Sequence, residues 1–253
     1  MSQTPSNTNP LTVVLVHGAF ADASSWTGVI ERLQKAGVQV TAPANPLRGL
    51  ASDSAYLASV FDQIRGPVLA VAHSYAGAVI STAATKASNV VGLVYVAAFA
   101  TEEGERLGDV ENGSRDSVLN SALVQLHYPT GQGAETAVEL AVNPARFREA
   151  FAADLPSGQA AVMAATQRPA AERAFSEPSG VPAWKRLPSW AVVATGDKAA
   201  GADVIRAMAR RAGATITEVE GSHVIMISQP QAVTDVILSA IAAVSKAEER
   251  QTA

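Results

Sequence analysis

Short apolar runs alternate with segments of helical periodicity along most of this 253-residue chain. A continuous apolar run of about four to eight residues is typical of a strand buried on both faces of a sheet. The segments between the runs carry apolar residues three and four positions apart, which predicts amphipathic helices. This alternation predicts an α/β fold with a mainly parallel sheet of about six strands and helices on both faces. The predicted strands cover residues 11–16, 38–42, 68–72, 90–97, 189–195 and 215–219.

The alternation stops at about residue 101 and resumes near residue 187. We expect residues 101–186 to form a mostly helical insertion rather than a further strand–helix unit. Its amphipathic pieces lie around 118–126, 134–142, 144–153 and 157–167, and prolines separate them. The chain then divides into a core made of residues 11–100 and 187–253, the insertion, and a disordered polar tail at residues 1–10.

Composition narrows the classes of function. Hydrophobic residues make up 48% of the chain and charged residues 17%, which is typical of a globular protein. The formal net charge is −4 and the chain has no basic run, so we do not expect nucleic acid as a partner. The chain has no cysteine, which excludes disulfides and thiolate chemistry, and only four histidines, which argues against a histidine-only metal site.

Hydropathy also bears on membranes and targeting. The longest apolar run, at residues 90–100, is too short to cross a bilayer. The polar first ten residues lack the basic and apolar regions of a signal peptide. We therefore expect no membrane partner and a cytoplasmic location.

A strand, a tight polar interruption and a helix follow one another within residues 68–80, with Ser74 at the turn. This arrangement is typical of a nucleophile elbow, where the serine oxygen stands clear of the sheet beside the positive end of a helix. The usual elbow has glycine two residues on either side of the serine. This chain has Ala72 and Ala76 there, followed by Gly77. The alternative is an ordinary serine at a strand end.

Two further loops at predicted strand ends carry the residue types that a serine nucleophile needs. Asp197 directly follows the strand at 189–195, and His223 follows the strand at 215–219. Serine, aspartate and histidine come in the chain order that this kind of sheet uses. We therefore predict that Ser74, Asp197 and His223 form a catalytic triad.

Three other carboxylates compete with Asp197 for the role of the acid. Asp203 lies six residues later, where we expect it to cap a helix. Glu102 and Glu103 follow the strand that ends near residue 97, a place that also suits the acid. We favour Asp197 because it lies at the turn itself.

The other three histidines are predicted to have other roles. We expect His17, at the end of the first strand, to brace its loop by hydrogen bonds. His73 precedes the nucleophile and should direct its side chain away from it. His127 lies in the insertion, where we expect a surface or pocket-lining residue.

An acyl-transfer site also needs two backbone N–H donors for the oxyanion. We predict one at Tyr75, directly after the nucleophile, and the other at Ala19, in the loop after the first strand. Gly18 is expected to allow the backbone conformation of that loop.

The sequence around these positions resembles the α/β-hydrolase superfamily from residue 11 to about residue 244. Within it, the chain is similar to the small branch of plant methyl-ester esterases and hydroxynitrile lyases, together with their bacterial relatives. The resemblance rests on Val-His-Gly-Ala-Phe at 16–20, Ser-Trp at 25–26, Asn-Pro-Leu-Arg-Gly at 45–49, the altered elbow, Thr-Gly-Asp at 195–197 and Gly-Ser-His at 221–223.

The resemblance implies that residues 101–186 form a cap over the active site and that hydrolysis needs no cofactor and no metal. It implies that Ser74 attacks the substrate, that the histidine shuttles the proton, that the aspartate orients the histidine, and that water releases the acyl-enzyme. The lyases of this branch have threonine after the first-loop histidine and lysine after the catalytic histidine. This chain has Gly18 and Val224 there, which argues against a cyanohydrin lyase.

The candidate lining of the substrate site is apolar or aromatic, so we expect a small, mainly uncharged carboxylic ester or lactone as the substrate. The same side chains could instead belong only to the hydrophobic core. They are Phe20, Tyr75, Phe99, Leu126, Trp184 and Val224.

Two other functions are open from the residues alone. A cofactor-free lyase or oxygenase would use His223 as a base without acylating Ser74. A non-catalytic protein would keep only the pocket and bind a small molecule. An exposed apolar surface on the insertion would favour a homodimer.

Overall fold

Strands and helices alternate from the start of the structure to residue 96. The computed structural model describes residues 9–252, so most of the predicted tail at residues 1–10 lies outside the described residues. The elements of this first part are β1 (Thr12–Val16), α1 (Thr27–Lys35), β2 (Gln39–Thr41), α2 (Leu50–Asp62), β3 (Val68–His73), α3 (Ala76–Ala83) and β4 (Val90–Val96).

The insertion contains the expected helices and also a small antiparallel sheet of order β5-β6-β7. Its elements are α4 (Leu107–Asn112), β5 (Leu123–Pro129), β6 (Thr136–Val142), α5 (Pro144–Phe151), α6 (Ser157–Thr166), β7 (Ala170–Ala171) and α7 (Arg173–Ser176). The prediction of a helical character is therefore wrong for the pieces at 118–126 and 134–142. Each piece is too short for helical periodicity to be told from strand periodicity, and the two satisfy their backbone groups by pairing with each other.

Strand–helix alternation then resumes and completes the main sheet. The last elements are β8 (Ser189–Ala194), α8 (Ala202–Arg211), β9 (Thr215–Val219), α9 (Ile225–Ser228) and α10 (Pro230–Thr252). The main sheet has six parallel strands in the order β2-β1-β3-β4-β8-β9. This confirms the predicted fold class, including the number of strands in the sheet.

Burial follows the position of each strand in the sheet. Every residue of β1, β3 and β8 is buried, whereas the edge strands β2 and β9 alternate between partly buried and exposed residues. Complete burial of a Val or Leu side chain stabilises a fold by about 1.5–3 kcal/mol, so the central apolar runs are the main source of stability in this sheet. Within residues 9–252, no helix is both long and apolar enough to cross a membrane.

Backbone strain is concentrated at the carboxyl ends of the first four strands. Among the described residues, four that are not glycine have positive φ: Phe20, Leu47, Ser74 and Ala97. Each of them lies in the loop that follows one of the strands β1–β4. Such conformations cost free energy and collect at functional sites, so this edge of the sheet is where a site is expected.

Candidate active site

Ser74 lies at the turn between β3 and α3, where its φ is +54° and 7% of the residue is exposed. Its carbonyl oxygen accepts N–H groups from Gly77 at 3.0 Å and from Phe99 at 3.2 Å. A Cβ atom at Gly77 would lie 2.5 Å from the Phe99 carbonyl oxygen, so the loop after β4 needs glycine there. The strained serine at a strand–helix junction has the geometry of a nucleophile elbow.

Gly18 brings the loop after β1 against this elbow. A Cβ atom at Gly18 would lie 2.6 Å from the Ser74 Cβ and 2.8 Å from the His73 carbonyl oxygen. The predicted reason for this glycine was wrong, because Gly18 does not have a positive φ. Close approach to the serine, rather than backbone freedom, requires glycine here.

Asp197 and His223 meet between the loops after β8 and β9. His223 Nδ1 lies 2.8 Å from Asp197 Oδ2, and both side chains are 1% exposed. Asp197 Oδ1 accepts the N–H groups of Ala199 at 2.9 Å and Ala200 at 3.0 Å. The two backbone N–H groups fix the Asp197 carboxylate, and the carboxylate in turn orients the imidazole with Nδ1–H toward it. This leaves His223 Nε2 free to accept a proton.

Ser74 is coupled to the His223 loop through its neighbour, His73. The Nε2–H of His73 donates to the His223 carbonyl oxygen at 3.0 Å, and the two imidazole rings are 4.6 Å apart. Thus His73 packs against the histidine loop, a contact that the sequence prediction missed. Within the described residues, no hydrogen bond joins the Ser74 hydroxyl to His223. Catalytic hydrogen bonds of this kind often tighten only when substrate binds.

The remaining histidines differ sharply in burial. His17 is fully buried, accepts the N–H of Asn45 on Nε2 at 3.0 Å, and pairs Nδ1 with the Gly18 carbonyl oxygen at 2.9 Å. It therefore braces its loop, as its position at the strand end indicated. Burial lowers the pKa of His17 and lowers the pKa of His73 well below its ordinary value, so both rings are neutral near pH 7. His127 is exposed on β5.

The alternative acids have other partners. Asp203, in the first turn of α8, accepts the Ser114 hydroxyl at 2.6 Å and the N–H of Arg115 at 2.9 Å. Glu102 forms an ion pair with Lys185 at 2.6 Å. Glu103 is exposed. The structure therefore brings Asp197, and none of these three, to His223.

The two backbone N–H groups predicted as oxyanion donors are those of Ala19 and Tyr75. No protein acceptor is bound to the N–H of Ala19 or of Tyr75 in the described part of the chain. The Tyr75 side chain is anchored, because its hydroxyl donates to Asp53 at 2.8 Å and both residues are 0% exposed. Asp53 also accepts the N–H of Arg48 at 3.1 Å. Burial raises the pKa of Asp53, against the effect of these hydrogen bonds.

Two aromatic side chains from the insertion, Phe151 and Phe175, pack against the predicted catalytic region. Phe20 stacks on Phe175 with ring centroids 6.0 Å apart and meets Phe151 edge to face at 6.1 Å. Phe175 also lies 6.1 Å from Tyr75, and Phe151 lies 4.9 Å from the His223 ring. The sequence prediction missed both residues. Helical periodicity marks the face of Phe151 as buried but does not show what buries it, and Phe175 lies in a helix of four residues, too short to show periodicity.

The predicted substrate-binding residues are distributed unevenly. Phe20, Phe99 and Val224 are all buried near the triad loops. Leu126 is 42% exposed on β5 and lies outside the hydrophobic core. The indole N–H of Trp184 donates to the Thr101 carbonyl oxygen at 3.1 Å, a contact that anchors the return into the sheet. Substrate contact stays a prediction for all five residues, and the exposed position of Leu126 and the anchoring contact of Trp184 give these two no support.

A cavity of about 450 Å³ lies between the loop after β1 and helix α6. Its apolar lining residues include Phe20, Val162, Met163 and Ile227. Ser74 is not among the described residues that line it. Phe20 therefore connects this cavity with the aromatic cluster around the triad.

A buried carboxyl group, Glu111, is a further feature that sequence reasoning missed. It lies on α4, is 4% exposed, and accepts the Ser117 hydroxyl at 3.4 Å. Burial raises its pKa to about 7, and the nearby charge of Asp197 adds to the rise. Within residues 9–252, no group of three or more His, Asp or Glu side chains is arranged to hold a metal ion.

Comparison with known proteins agrees with this architecture. A superposition on polyneuridine aldehyde esterase gives a TM-score of 0.76 at 18% identity, covering 92% of this chain and 99% of that one. An extracellular alpha/beta-hydrolase from a Paenibacillus species gives 0.75 at 19% identity, covering 91% and 99%. A pyrethroid hydrolase from Sphingobium faniae gives 0.74 at 21% identity, covering 94% and 100%. A comparison of the sequence with curated proteins gave no match.

The family model described as "Alpha/beta hydrolase family" matches residues 13–236, which include every strand of the main sheet from Val13 onward and all three residues of the predicted triad. The solved structures show the same fold and include plant and bacterial proteins of the branch that the motifs indicated. Because this match extends over most of the chain, the protein is an enzyme that belongs to the alpha/beta hydrolase family.

Proposed function

We propose that the protein is a serine hydrolase that cleaves a small, mainly apolar carboxylic ester or lactone through an acyl-enzyme on Ser74. The observation that carries the proposal is the 2.8 Å hydrogen bond between His223 Nδ1 and Asp197 Oδ2 beside the strained serine. It gives the imidazole the tautomer that a general base requires. The solved structures with this fold include proteins named as an esterase and as a pyrethroid hydrolase, which supports ester cleavage.

In the proposed reaction, Ser74 Oγ attacks the carbonyl carbon of the ester and gives its proton to His223 Nε2. The carbonyl electron pair moves to oxygen, and the N–H groups of Ala19 and Tyr75 bind the resulting oxyanion. Collapse breaks the bond to the alkoxy oxygen, which takes the proton from His223. Water then attacks the acyl-enzyme with His223 as base again, which releases the acid and restores the serine.

The substrate class follows from the walls of the site. Phe151 and Phe175, which pack on His223 and Tyr75, are aromatic. The cavity has polar as well as apolar lining residues, among them the carboxylate of Asp22, but no basic side chain lines it among the described residues. An uncharged substrate is favoured, because a carboxylate would be desolvated there without a cation. The larger group of the ester is proposed to occupy the cavity beside Phe20, whose size suits a ring or a branched alkyl group.

A fluorophosphonate probe tests the mechanism directly, since it labels only an activated serine. We expect labelling of Ser74 in the wild type and in the His127→Ala control, in which an exposed histidine is removed. We expect no labelling of this site in Ser74→Ala. In His223→Ala, ester turnover should fall by about 10⁴-fold or more.

Two results would count against the proposal. Folded wild-type protein that neither labels nor turns over any member of an ester and lactone panel would refute the hydrolase mechanism. Ester turnover that survives in Ser74→Ala but is lost in His223→Ala would show that the histidine acts alone as a base.

A further inference from the structure

Two side chains at the end of α5 connect the insertion to the loop that carries His223. Phe151, the last residue of α5, packs on the His223 ring at 4.9 Å with an interplanar angle of 64°. Three residues later, Asp154 accepts the N–H of Ser222 at 2.9 Å. The Ser222 hydroxyl donates a second, short hydrogen bond to the other oxygen of the same carboxylate. Ser222 immediately precedes His223, so one short segment contacts the histidine both directly and through its neighbour.

The two partners of these hydrogen bonds, Ser222 and Asp154, differ in their exposure to solvent. Ser222 is only 3% exposed, whereas Asp154 is exposed at the edge of the insertion. Partial burial of the carboxylate alone would raise the pKa of Asp154, but hydrogen bonds, chiefly from the side chains of Ser222 and Ser228 and the backbone of Ser222, outweigh it and hold the pKa below its ordinary value. Asp154 is therefore ionised near pH 7, and a charged acceptor forms stronger hydrogen bonds than a neutral one.

We propose that Asp154 is a positioning residue for His223, which holds the histidine loop in register with Ser74 only while the insertion is seated on the core. The proposal rests on the proposed function, because it explains how the base of that reaction is placed. Asp154 contacts no reacting atom. It acts through Ser222, and Phe151 acts in the same direction by limiting rotation of the imidazole.

The geometry of the loop explains why such a contact is needed. Asp197 fixes the ring through Nδ1, and the His73 imidazole fixes the His223 carbonyl oxygen at 3.0 Å. On the N-terminal side of His223, the Gly196 N–H donates to the Gly221 carbonyl oxygen at 3.0 Å, and Ser222 itself is held by Asp154. Displacement of a reacting group by about 1 Å can reduce a rate by about 100-fold, so loss of this anchor should appear in kcat.

The test compares Asp154→Ala, Asp154→Asn and Ser222→Ala with Glu149→Gln, in ester turnover and in urea unfolding. Glu149 is the matched control, because it is an exposed carboxylate on α5 whose hydrogen bonds go to Arg146 on the same helix. We expect Asp154→Ala to lower kcat by about tenfold to 100-fold with KM changed by less than about threefold. Ser222→Ala keeps the backbone hydrogen bond to Asp154, so its kcat should fall only a few-fold.

Non-additivity provides a second measurement. If Asp154 acts through Ser222, then Ser222→Ala should have little further effect in the Asp154→Ala background. The conservative Asp154→Asn should recover part of kcat, since its amide oxygen can still accept one hydrogen bond. A purely structural role would instead lower the urea midpoint and leave kcat per folded molecule unchanged.

A spectroscopic signal separates this proposal from the proposed function. The Nδ1 proton of His223, bonded to a carboxylate, should give a far-downfield NMR resonance in the wild type and in Glu149→Gln. We expect it to shift or broaden in Asp154→Ala. An unchanged resonance and unchanged kcat in that variant, or an equal loss of kcat in Glu149→Gln, would overturn the proposal. The wild type could lack ester turnover while the resonance still differs between the wild type and Asp154→Ala. That result would count against the hydrolase mechanism but not against the positioning role of Asp154.

Discussion

Glu111 should make the stability of the fold depend on pH in a defined direction. The carboxyl group is 4% exposed on α4. The Ser117 hydroxyl lies 3.4 Å from it but has a shorter hydrogen bond, at 2.6 Å, to the Ala199 carbonyl oxygen, so the carboxyl group is weakly satisfied. Burial raises its pKa from 4.5 to about 7, and the charge of Asp197 contributes in the same direction. The folded state therefore holds the proton of Glu111 more tightly than the unfolded chain does.

The sign and the size follow from proton linkage. Because the folded pKa is the higher one, the stabilising effect of the bound proton is fully present below about pH 4.5 and is lost as the pH rises through about 7. At about 1.36 kcal/mol per pKa unit, the loss in the free energy of unfolding approaches about 3 kcal/mol. The variant Glu111→Gln keeps the shape of the neutral acid and has no proton to lose.

Urea unfolding at pH 5 and pH 8 measures this difference. We expect the free energy of unfolding of Glu111→Gln to exceed that of the wild type by about 1 kcal/mol at pH 5 and by about 3 kcal/mol at pH 8. The control Glu31→Gln removes an exposed carboxyl group on α1 and should show no such change between the two pH values. A Glu111→Gln variant that is equally stable relative to wild type at both pH values, or less stable at pH 8, would refute the reasoning.

Three further substitutions test individual contacts. Tyr75→Phe leaves buried Asp53 without one donor, so the free energy of unfolding should fall by about 1–3 kcal/mol in urea; an unchanged value would mean that the hydrogen bond contributes nothing net. Gly18→Thr would place a Cβ 2.6 Å from the Ser74 Cβ, so ester turnover should fall by at least about tenfold. Full activity would show that the loop after β1 moves to accommodate the side chain. Met163→Trp narrows the cavity, so KM for a bulky ester should rise by roughly tenfold relative to KM for an acetyl ester. An equal change in KM for the two esters would mean that the larger group of the ester does not occupy this cavity.

The core of the fold was predictable because its signal is local. Each central strand is a continuous apolar run, so the six strands appear in the sequence nearly at their observed ends, as with Val68–His73. The carboxyl ends of parallel strands share one edge of a sheet, so the sequence alone predicts that Ser74, Asp197 and His223 lie close together. The hydrogen bond between Asp197 and His223 then follows from two neighbouring strands, β8 and β9.

The insertion was less predictable because its contacts are not local. Phe151, Phe175 and Asp154 meet the triad loops across long sequence separations, and no periodicity indicates which core residue each will contact. The hairpin of β5 and β6 was missed for a related reason, since pairing between two short segments decides their structure. Only the exposed or buried character of such residues can be read from the sequence.

The altered elbow shows where small residues are needed in this enzyme. Ala72 and Ala76 replace the usual glycines, yet both methyl groups are completely buried in the core. The positions that exclude a Cβ are instead Gly18, which faces Ser74, and Gly77, which faces the backbone of the loop after β4. Crowding is therefore avoided here at Gly18, in the loop after β1, and at Gly77, in α3 of the elbow. The strain at Ser74, with φ at +54°, is maintained by the loops after β1 and β4 that pack on the elbow, and a substitution at Gly18 or Gly77 should lower ester turnover more than glycine at Ala72 or Ala76.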